Sequence, residues 1–189
     1  MLAFAFDRRF EFLDESFYIL LQTAFMSLRL ITTGGTFDKH YDPIKGTLGF
    51  SKTHVHSILE RCRLTVAVAV TELPLIDSLE MQDTDRERIL AACSVALEPH
   101  IVVIHGTDTM PQTAQMLGAM LGKATRTVVI TGAMIPYEVA DSDALFNLGH
   151  AIGLAQTLPH GVYVAMGAQV FEWNKVRKNR STGRFEEIA

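Results

Sequence analysis

The sequence predicts an α/β fold with a three-layer, open and mainly parallel sheet that carries helices on both faces. From Leu28 onward, short apolar runs alternate with stretches of helical periodicity. The runs are rich in β-branched residues and continuously apolar, which is typical of strands buried on both faces. They cover residues 28–32, 65–70, 101–105, 127–131 and 161–166. This alternation of strand and helix indicates a flavodoxin-like or Rossmann-like arrangement.

Helix start signals stand between the runs. Thr84 and Glu87 have the spacing of a capping box, and the same spacing begins at Thr109. Asp143 is the predicted cap of a further helix, and a short helix is expected near residues 53–61. Each predicted helix therefore follows one predicted strand.

The length of 189 residues predicts one domain at 27–189, preceded by an extension at 1–26 that we expect to lie outside the core. Within that extension, the apolar run at 17–26 is shorter than the roughly 20 residues that a membrane span needs. Acidic residues precede the run, where a secretory signal would carry basic ones. We therefore expect no membrane association.

Composition narrows the class of protein further. Apolar residues make up 48% of the chain and charged residues 20%, and the net charge is −4. A nucleic-acid-binding protein usually has a basic excess, so nucleic acid is not an expected partner. The two cysteines, Cys62 and Cys93, form neither a disulfide framework nor a metal-ligand pair. A cytoplasmic location fits best, and no metal is expected.

The loop after the first strand contains Thr33, Gly34, Gly35 and Thr36. Ligands of open α/β sheets bind beyond the carboxyl ends of the strands. Two glycines there permit a tight turn and a close approach of the backbone to a ligand, and Thr36 presents a hydroxyl. The alternative is a turn whose hydroxyls only satisfy the local backbone.

The loop after the third strand contains His105, Gly106, Thr107 and Asp108. Asp108 precedes a helix, so its carboxylate is either functional or a partner of the helix dipole. His105 is interpreted as a structural histidine rather than a metal ligand, because no second ligand stands at suitable spacing. Thr107 has no structural explanation in the sequence.

Three other segments lie near these loops. Ser78 follows the second strand and either contacts a polar ligand or forms a turn. Residues 38–51 have the composition of a mobile loop beside the glycine turn, as an active-site lid does, or of an ordinary surface loop. A basic cluster follows the last strand, and such a cluster is usually a solvated face. Its members are Lys175, Arg177, Lys178, Arg180 and Arg184.

Taken together, these segments resemble the N-terminal domain of the bacterial-type L-asparaginases, the asparaginase/glutaminase family. The resemblance covers about residues 28–180. The matching segments, in the order of the family, are Thr33-Gly34-Gly35-Thr36, Ile76-Asp77-Ser78, His105-Gly106-Thr107-Asp108-Thr109-Met110, Thr131-Gly132-Ala133-Met134 and Phe146-Asn147-Leu148.

The resemblance implies an amidohydrolase with a threonine nucleophile, an acyl-enzyme intermediate and no cofactor. It assigns the nucleophile to Thr36, an assisting role to Tyr41, and a second catalytic group to Thr107, Asp108 and Lys178. Lys175 is the weaker candidate for that lysine. The implied partners are a small amide or amino-acid substrate and further copies of the chain, as a dimer or tetramer.

The resemblance also implies contacts with the substrate at five positions: Gly35, Ser78, Leu79, Gly106 and Ala133. Leu79 stands where the family commonly has a small or polar side chain, and Phe37 replaces a small aliphatic one. Family members also carry a C-terminal domain that helps enclose the substrate. We therefore expect an incomplete pocket and a weak or altered amidase.

Two alternatives remain open. One is a module that binds aspartate-like or asparagine-like ligands without turnover. The other is the ammonia-releasing subunit of a tRNA-dependent amidotransferase, which would require a partner protein and a larger N-terminal domain.

Overall fold

The computed structural model describes residues 27–121 and 125–188, so the predicted extension at 1–26 lies outside the described residues. Within them the strands, in chain order, are β1 Leu28–Gly34, β2 His40–Asp42, β3 Thr47–Gly49, β4 Val68–Ile76, β5 His100–Ile104, β6 Thr127–Thr131, β7 Gly161–Met166, β8 Gln169–Glu172, β9 Val176–Asn179 and β10 Arg184–Glu187. The helices are α1 Val55–Cys62, α2 Asp83–Val95, α3 Met110–Leu121 and α4 Ala144–Thr157.

The central sheet has the order β4-β1-β5-β6-β7-β8. Its first five strands run parallel, and β8 pairs antiparallel with β7. The parallel part has the strand order that doubly wound flavodoxin-like sheets share. The predicted fold class is confirmed, with an antiparallel edge strand added.

Two apolar layers cover the sheet. Ile89 of α2 and Leu117 of α3 pack with one set of strand side chains, including Val103. On the other face, Ile58 of α1 and Leu148 of α4 pack with a second set. Alternate residues of each buried strand point to opposite faces, so continuous apolar runs supply both cores at once. The described helices include none long and apolar enough to span a membrane.

The second predicted strand was placed too early in the chain. The sequence indicates 65–70, whereas β4 covers Val68–Ile76 and includes Pro74. Because β4 lies at the edge of the sheet, a residue that lacks an N–H donor can be accommodated there.

The predicted capping box at Thr84 is wrong. Helix α2 begins at Asp83, and Gln82 and Asp85 form the capping box instead. The Asp85 carboxylate accepts a hydrogen bond from the Gln82 amide at 3.0 Å, which fixes the start of the helix. Asp143 does precede α4, but its side chain forms no cap hydrogen bond. Its carboxylate accepts instead from the amides of Met134 and Ile135, at 3.0 and 2.9 Å.

Candidate active site

The loops after β1, β4 and β5 meet at the carboxyl edge of the sheet. The chain leaves β1 for β4 on one side and returns to β5 on the other, so this edge is the topological switch point. Ligands of doubly wound folds bind at such a point. The Gly-Gly turn and the His105–Thr109 segment flank the crevice.

Gly35 and Gly106 bring two of these loops into direct backbone contact. A Cβ atom at Gly35 would lie 2.3 Å from Cα of Gly106, and Gly35 has φ of +68°. The Gly35 amide donates to the carbonyl of Ile76 at 3.0 Å, which ties the turn to the β4 loop as well. Only glycine satisfies both conditions, so the turn is built from this residue type.

Ser78 connects the β4 loop to the β5 loop. The Ser78 side chain is buried, and a Cβ atom added at Gly106 would lie 2.6 Å from Cβ of Ser78. Its Oγ accepts a hydrogen bond from the Asp108 amide at 3.2 Å, and its carbonyl accepts one from the Thr109 hydroxyl at 2.8 Å. Ser78 is therefore part of the floor of the crevice.

Thr36 begins a 3₁₀ turn, Thr36–Asp38, and is partly exposed. The next two residues anchor that turn. Phe37 is fully buried in the core under α1 and α4. The buried Asp38 carboxylate accepts hydrogen bonds from the Thr53 hydroxyl at 3.0 Å and from the His54 amide at 2.9 Å. Burial raises the pKa of Asp38 despite these hydrogen bonds, which act to lower it.

Lys178, Thr107 and Asp108 form a compact cluster on the β5 side of the crevice. Nζ of Lys178 donates to Oγ1 of Thr107 at 2.8 Å and to Oδ1 of Asp108 at 2.9 Å. The Lys178 side chain is only 9% exposed. Lys175, the other candidate, instead pairs with Glu172 at 3.1 Å on the surface and is 49% exposed.

The β9–β10 hairpin carries Lys178 to this position. Val176 and Phe185, one on each strand, are buried in the core. Before the hairpin, the Trp173 ring packs on α3 at Gly118, where an added Cβ atom would lie 2.1 Å from the indole. The basic cluster expected to be a solvated face therefore includes one buried lysine.

Opposite charges secure the outer face of the same hairpin. Glu186 accepts hydrogen bonds from Asn179 and, at 2.9 Å, from Arg177. These two hydrogen bonds, with that from Asn179 contributing most, lower the pKa of Glu186. Arg177 is thus a surface partner that holds β9 to β10.

His105 is fully buried behind the cluster. Its Nδ1 lies 2.7 Å from the Gly106 carbonyl, and its Nε2 lies 2.8 Å from Oγ1 of Thr113. Burial lowers the pKa of His105 to about 4, so the imidazole is neutral at neutral pH. No group of potential metal-ligating side chains occurs within the described residues. The ring fixes the backbone that presents Thr107.

The remaining predicted site residues lie less close to the cluster. Tyr41 belongs to the β2–β3 hairpin, and its side chain is 58% exposed. Leu79 is 62% exposed at the mouth of the crevice. Ala133 follows β6 and is completely buried in the core.

Asn147 shows how the Phe146-Asn147-Leu148 motif supports the same edge. Its Nδ2 donates to the Gly132 carbonyl at 3.1 Å and to the Asp143 carboxylate at 2.8 Å. Its Oδ1 accepts from the Gly167 amide at 3.1 Å. This buried amide joins the loops after β6 and β7, a role that no local sequence pattern indicates.

The sequence also does not predict the contact between Lys39 and Asp77. Nζ of Lys39 lies 2.5 Å from Oδ2 of Asp77. Partial burial opposes ionisation of Asp77, but hydrogen bonds from Lys39 and the Leu79 amide outweigh it and lower the pKa of Asp77. The Leu79 amide donates to Oδ1 of Asp77 at 3.0 Å in a local side-chain turn, but this turn does not indicate Lys39 as a partner.

Comparison with known proteins shows which proteins this chain is similar to. The chain is 31% identical to L-asparaginase 1 of Escherichia coli K12 over 113 residues, which cover 58% of this chain and 33% of that protein. It is 37% identical to the human 60 kDa lysophospholipase over 112 residues, or 58% of this chain and 19% of that protein.

Solved structures share the fold over most of the chain. L-asparaginase I of Vibrio cholerae superposes with a TM-score of 0.74 at 25% identity, over 87% of this chain and 52% of that one. The thermostable L-asparaginase of Thermococcus kodakarensis gives a TM-score of 0.74 at 28% identity, over 86% and 51%. The chain thus spans about half the length of these structures. Because residues 27–186 match the family model described as asparaginase, N-terminal, the chain belongs to the asparaginase family.

Proposed function

We propose that this protein is an asparaginase-like amidohydrolase that cleaves the side-chain amide of asparagine or a related small amide. The observation that carries the proposal is the contact of buried Lys178 with both Thr107 and Asp108. A lysine held in this way can exchange a proton with a neighbouring hydroxyl and orient a carboxylate. The close approach of Gly35 to Gly106, with an added Cβ atom 2.3 Å from Cα, supports a shared site for Thr36 and this cluster.

In the proposed reaction, Oγ1 of Thr36 attacks the amide carbon and forms a tetrahedral oxyanion. A free hydroxyl is a weak nucleophile, so a positioned base must accept its proton. The C–N bond then breaks, the nitrogen takes a proton and leaves as ammonia, and an ester to Thr36 remains. Water, with its proton taken through Thr107 and Lys178, hydrolyses the ester and restores the threonine.

The developing oxyanion requires amide donors. The Gly35 amide already donates to Ile76, and the Asp108 amide donates to Ser78. We therefore assign the donor role to the amides of Thr36 and Thr107. Removing one such donor in an acyl-transfer enzyme costs about 3–4 kcal/mol of transition-state stabilisation.

The substrate itself remains part of the proposal. The named relatives include both L-asparaginases and 60 kDa lysophospholipases. Exposed Leu79 offers an apolar side chain at the mouth, and Ser78 uses its Oγ to hold Asp108. Both features support a substrate preference that differs from that for free asparagine. Assembly as a dimer or tetramer and a cytoplasmic location stay predictions.

Ammonia release from asparagine, glutamine and other small amides tests the proposal. Thr36→Ala and Lys178→Met are each expected to lower turnover at least about 10³-fold, because they remove the nucleophile and the proton-transfer group. Lys175→Met is the matched control, since that lysine pairs with Glu172 on the surface, and it should retain full activity. Equal activity in all three variants would exclude this mechanism.

A second candidate is a binding module for aspartate-like ligands. The 58% exposure of Tyr41 favours it, because the proposed assisting phenol has not closed on the crevice. Calorimetry that shows tight binding of aspartate or asparagine, together with no ammonia release by the wild-type protein, would support this candidate over the hydrolase.

A further inference from the structure

Lys39 lies at a junction of three segments beside the crevice. It directly follows the 3₁₀ turn that contains Thr36, and its amide donates to the Thr36 carbonyl at 3.2 Å. Its Nζ reaches Oδ2 of Asp77 at 2.5 Å, in the loop after β4. The same Nζ lies 6.0 Å from the ring centroid of Phe50, just beyond the end of β3.

These contacts place Lys39 at both ends of the β2–β3 hairpin. The hairpin runs from His40 to Gly49, so Lys39 precedes it and Phe50 follows it. The Lys39 ammonium group therefore lies over the ring of Phe50, which follows the hairpin, and pairs with the Asp77 carboxylate on a different loop. The Lys39 and Asp77 side chains are 22% and 28% exposed, so the ion pair is partly shielded from solvent.

Asp77 extends this connection to the β5 side of the crevice. While Oδ2 receives Lys39, Oδ1 accepts a hydrogen bond from the Leu79 amide at 3.0 Å. This turn places Ser78 against Gly106, where its Oγ holds the Asp108 amide. The contacts thus form a continuous path from the turn that bears Thr36 to the residue paired with Lys178.

We propose that Lys39 is a positioning residue that fixes the β2–β3 hairpin, with Tyr41, to the loop containing Asp77, Ser78 and Leu79. The proposal rests on the proposed function and deepens it, since it assigns to one ion pair a share in aligning the two sides of that site. Lys45 provides a contrast within the same hairpin. It is 77% exposed and lies 3.7 Å from Asp42, two features that predict little effect on alignment.

Hydrogen exchange of the hairpin amides tests this proposal independently of activity. Lys39→Met keeps an aliphatic chain of similar length and removes the charge. It is expected to accelerate exchange roughly two- to fivefold, whereas Lys45→Met should leave exchange unchanged. Lys39→Arg should restore wild-type exchange. Equal exchange in Lys39→Met and Lys45→Met would overturn the proposal.

Asp77→Asn supplies a second route to the same result, because its side-chain oxygen can still accept from the Leu79 amide. Lys39→Met and Asp77→Asn should have non-additive effects, so that the double variant exchanges no faster than either single variant. Additive effects would overturn the proposal. In the active protein, Lys39→Met should also raise KM more than it lowers kcat. If the wild-type protein releases no ammonia, the proposed function fails, and the exchange measurements still decide the role of Lys39.

Discussion

On the β5 side of the crevice three polar side chains are hydrogen-bonded to one another, whereas on the β1 side the turn of the proposed nucleophile is held through its neighbours. Lys178 reaches Thr107 and Asp108 at 2.8 and 2.9 Å. The Thr36 turn is anchored through its neighbours Phe37 and Asp38, and Tyr41 is 58% exposed.

The difference follows from what carries each group. Lys178 lies on a hairpin whose strands bury Val176 and Phe185 in the core. Tyr41 lies on a hairpin of two three-residue strands whose burial pattern is exposed or intermediate throughout. Local stability scales with buried apolar contact, so the β2–β3 hairpin is the part able to move. The comparison indicates a fixed side that carries the proposed proton-transfer group and, on the other side, an adjustable β2–β3 hairpin beside the anchored Thr36 turn.

The largest expected effect comes from breaking the contact between the two sides. Gly35→Ala would place a Cβ atom 2.3 Å from Cα of Gly106 at a φ of +68°. Gly46→Ala is the matched control, because Gly46 has φ of +66° with nothing within 4 Å. Positive φ alone costs about 1–2 kcal/mol, and the overlap adds about 1–3 kcal/mol.

Denaturant unfolding should therefore show a loss of about 2–5 kcal/mol for Gly35→Ala and of about 1–2 kcal/mol for Gly46→Ala. If both variants lose the same stability, the β1 and β5 loops are not in the tight contact described, and the two sides move independently.

The sequence indicated more of the β5 side than of the β1 side. The parallel sheet was predictable because continuous apolar runs rich in β-branched residues are typical of strands that are buried on both faces of a sheet. The family resemblance implies that Lys178 is the catalytic lysine, whereas no periodicity in the basic cluster distinguishes it from Lys175. The hairpin that carries Lys178 follows Trp173, which meets Gly118, a contact between residues far apart in the chain.

Other features escaped prediction because they depend on tertiary neighbours. The start of α2 was placed at Thr84, since a threonine and a glutamate three residues later fit a capping box, but Gln82 and Asp85 form it. The Lys39–Asp77 ion pair joins residues 38 positions apart. Local sequence spacing carries no information about such an ion pair, because the two residues meet only where the folded chain brings their loops together at the edge of the sheet.

An intermediate effect is expected where the β5 side rests on α3. Gly118→Ala would place a Cβ atom 2.1 Å from the Trp173 indole and displace the segment that leads to Lys178. Overpacking of this kind costs about 1–3 kcal/mol. We expect Gly118→Ala to lower the free energy of unfolding by a net of about 1–2 kcal/mol. It should also reduce ammonia release and leave hydrogen exchange of the β2–β3 hairpin amides unchanged.

Gly149→Ala on α4 is the control for helix propensity, because nothing lies within 4 Å of its added Cβ atom. It should stabilise the protein by about 0.5–1 kcal/mol. Full activity in Gly118→Ala would show that Lys178 is held by its own hairpin and does not depend on the Trp173 contact.

The smallest expected effect concerns the turn on the β1 side. Burial raises the pKa of Asp38, so the folded protein binds more protons than the unfolded chain between the ordinary value of 3.8 and the raised one. The contribution of this group to the free energy of unfolding therefore falls as pH rises through that window. Asp38→Asn removes the titration while its side-chain oxygen still accepts from Thr53 and His54.

Urea unfolding from pH 4 to 7 should show that Asp38→Asn loses less stability than the wild type as pH rises, with the difference fully developed at pH 7. Asp141→Asn, the same substitution at an exposed position, serves as the control. If the wild-type and Asp38→Asn curves are parallel, the Asp38 carboxylate is solvated in the folded protein. The β1 turn would then be looser than its contacts with Thr53 and His54 indicate, and the contrast between the two sides would widen.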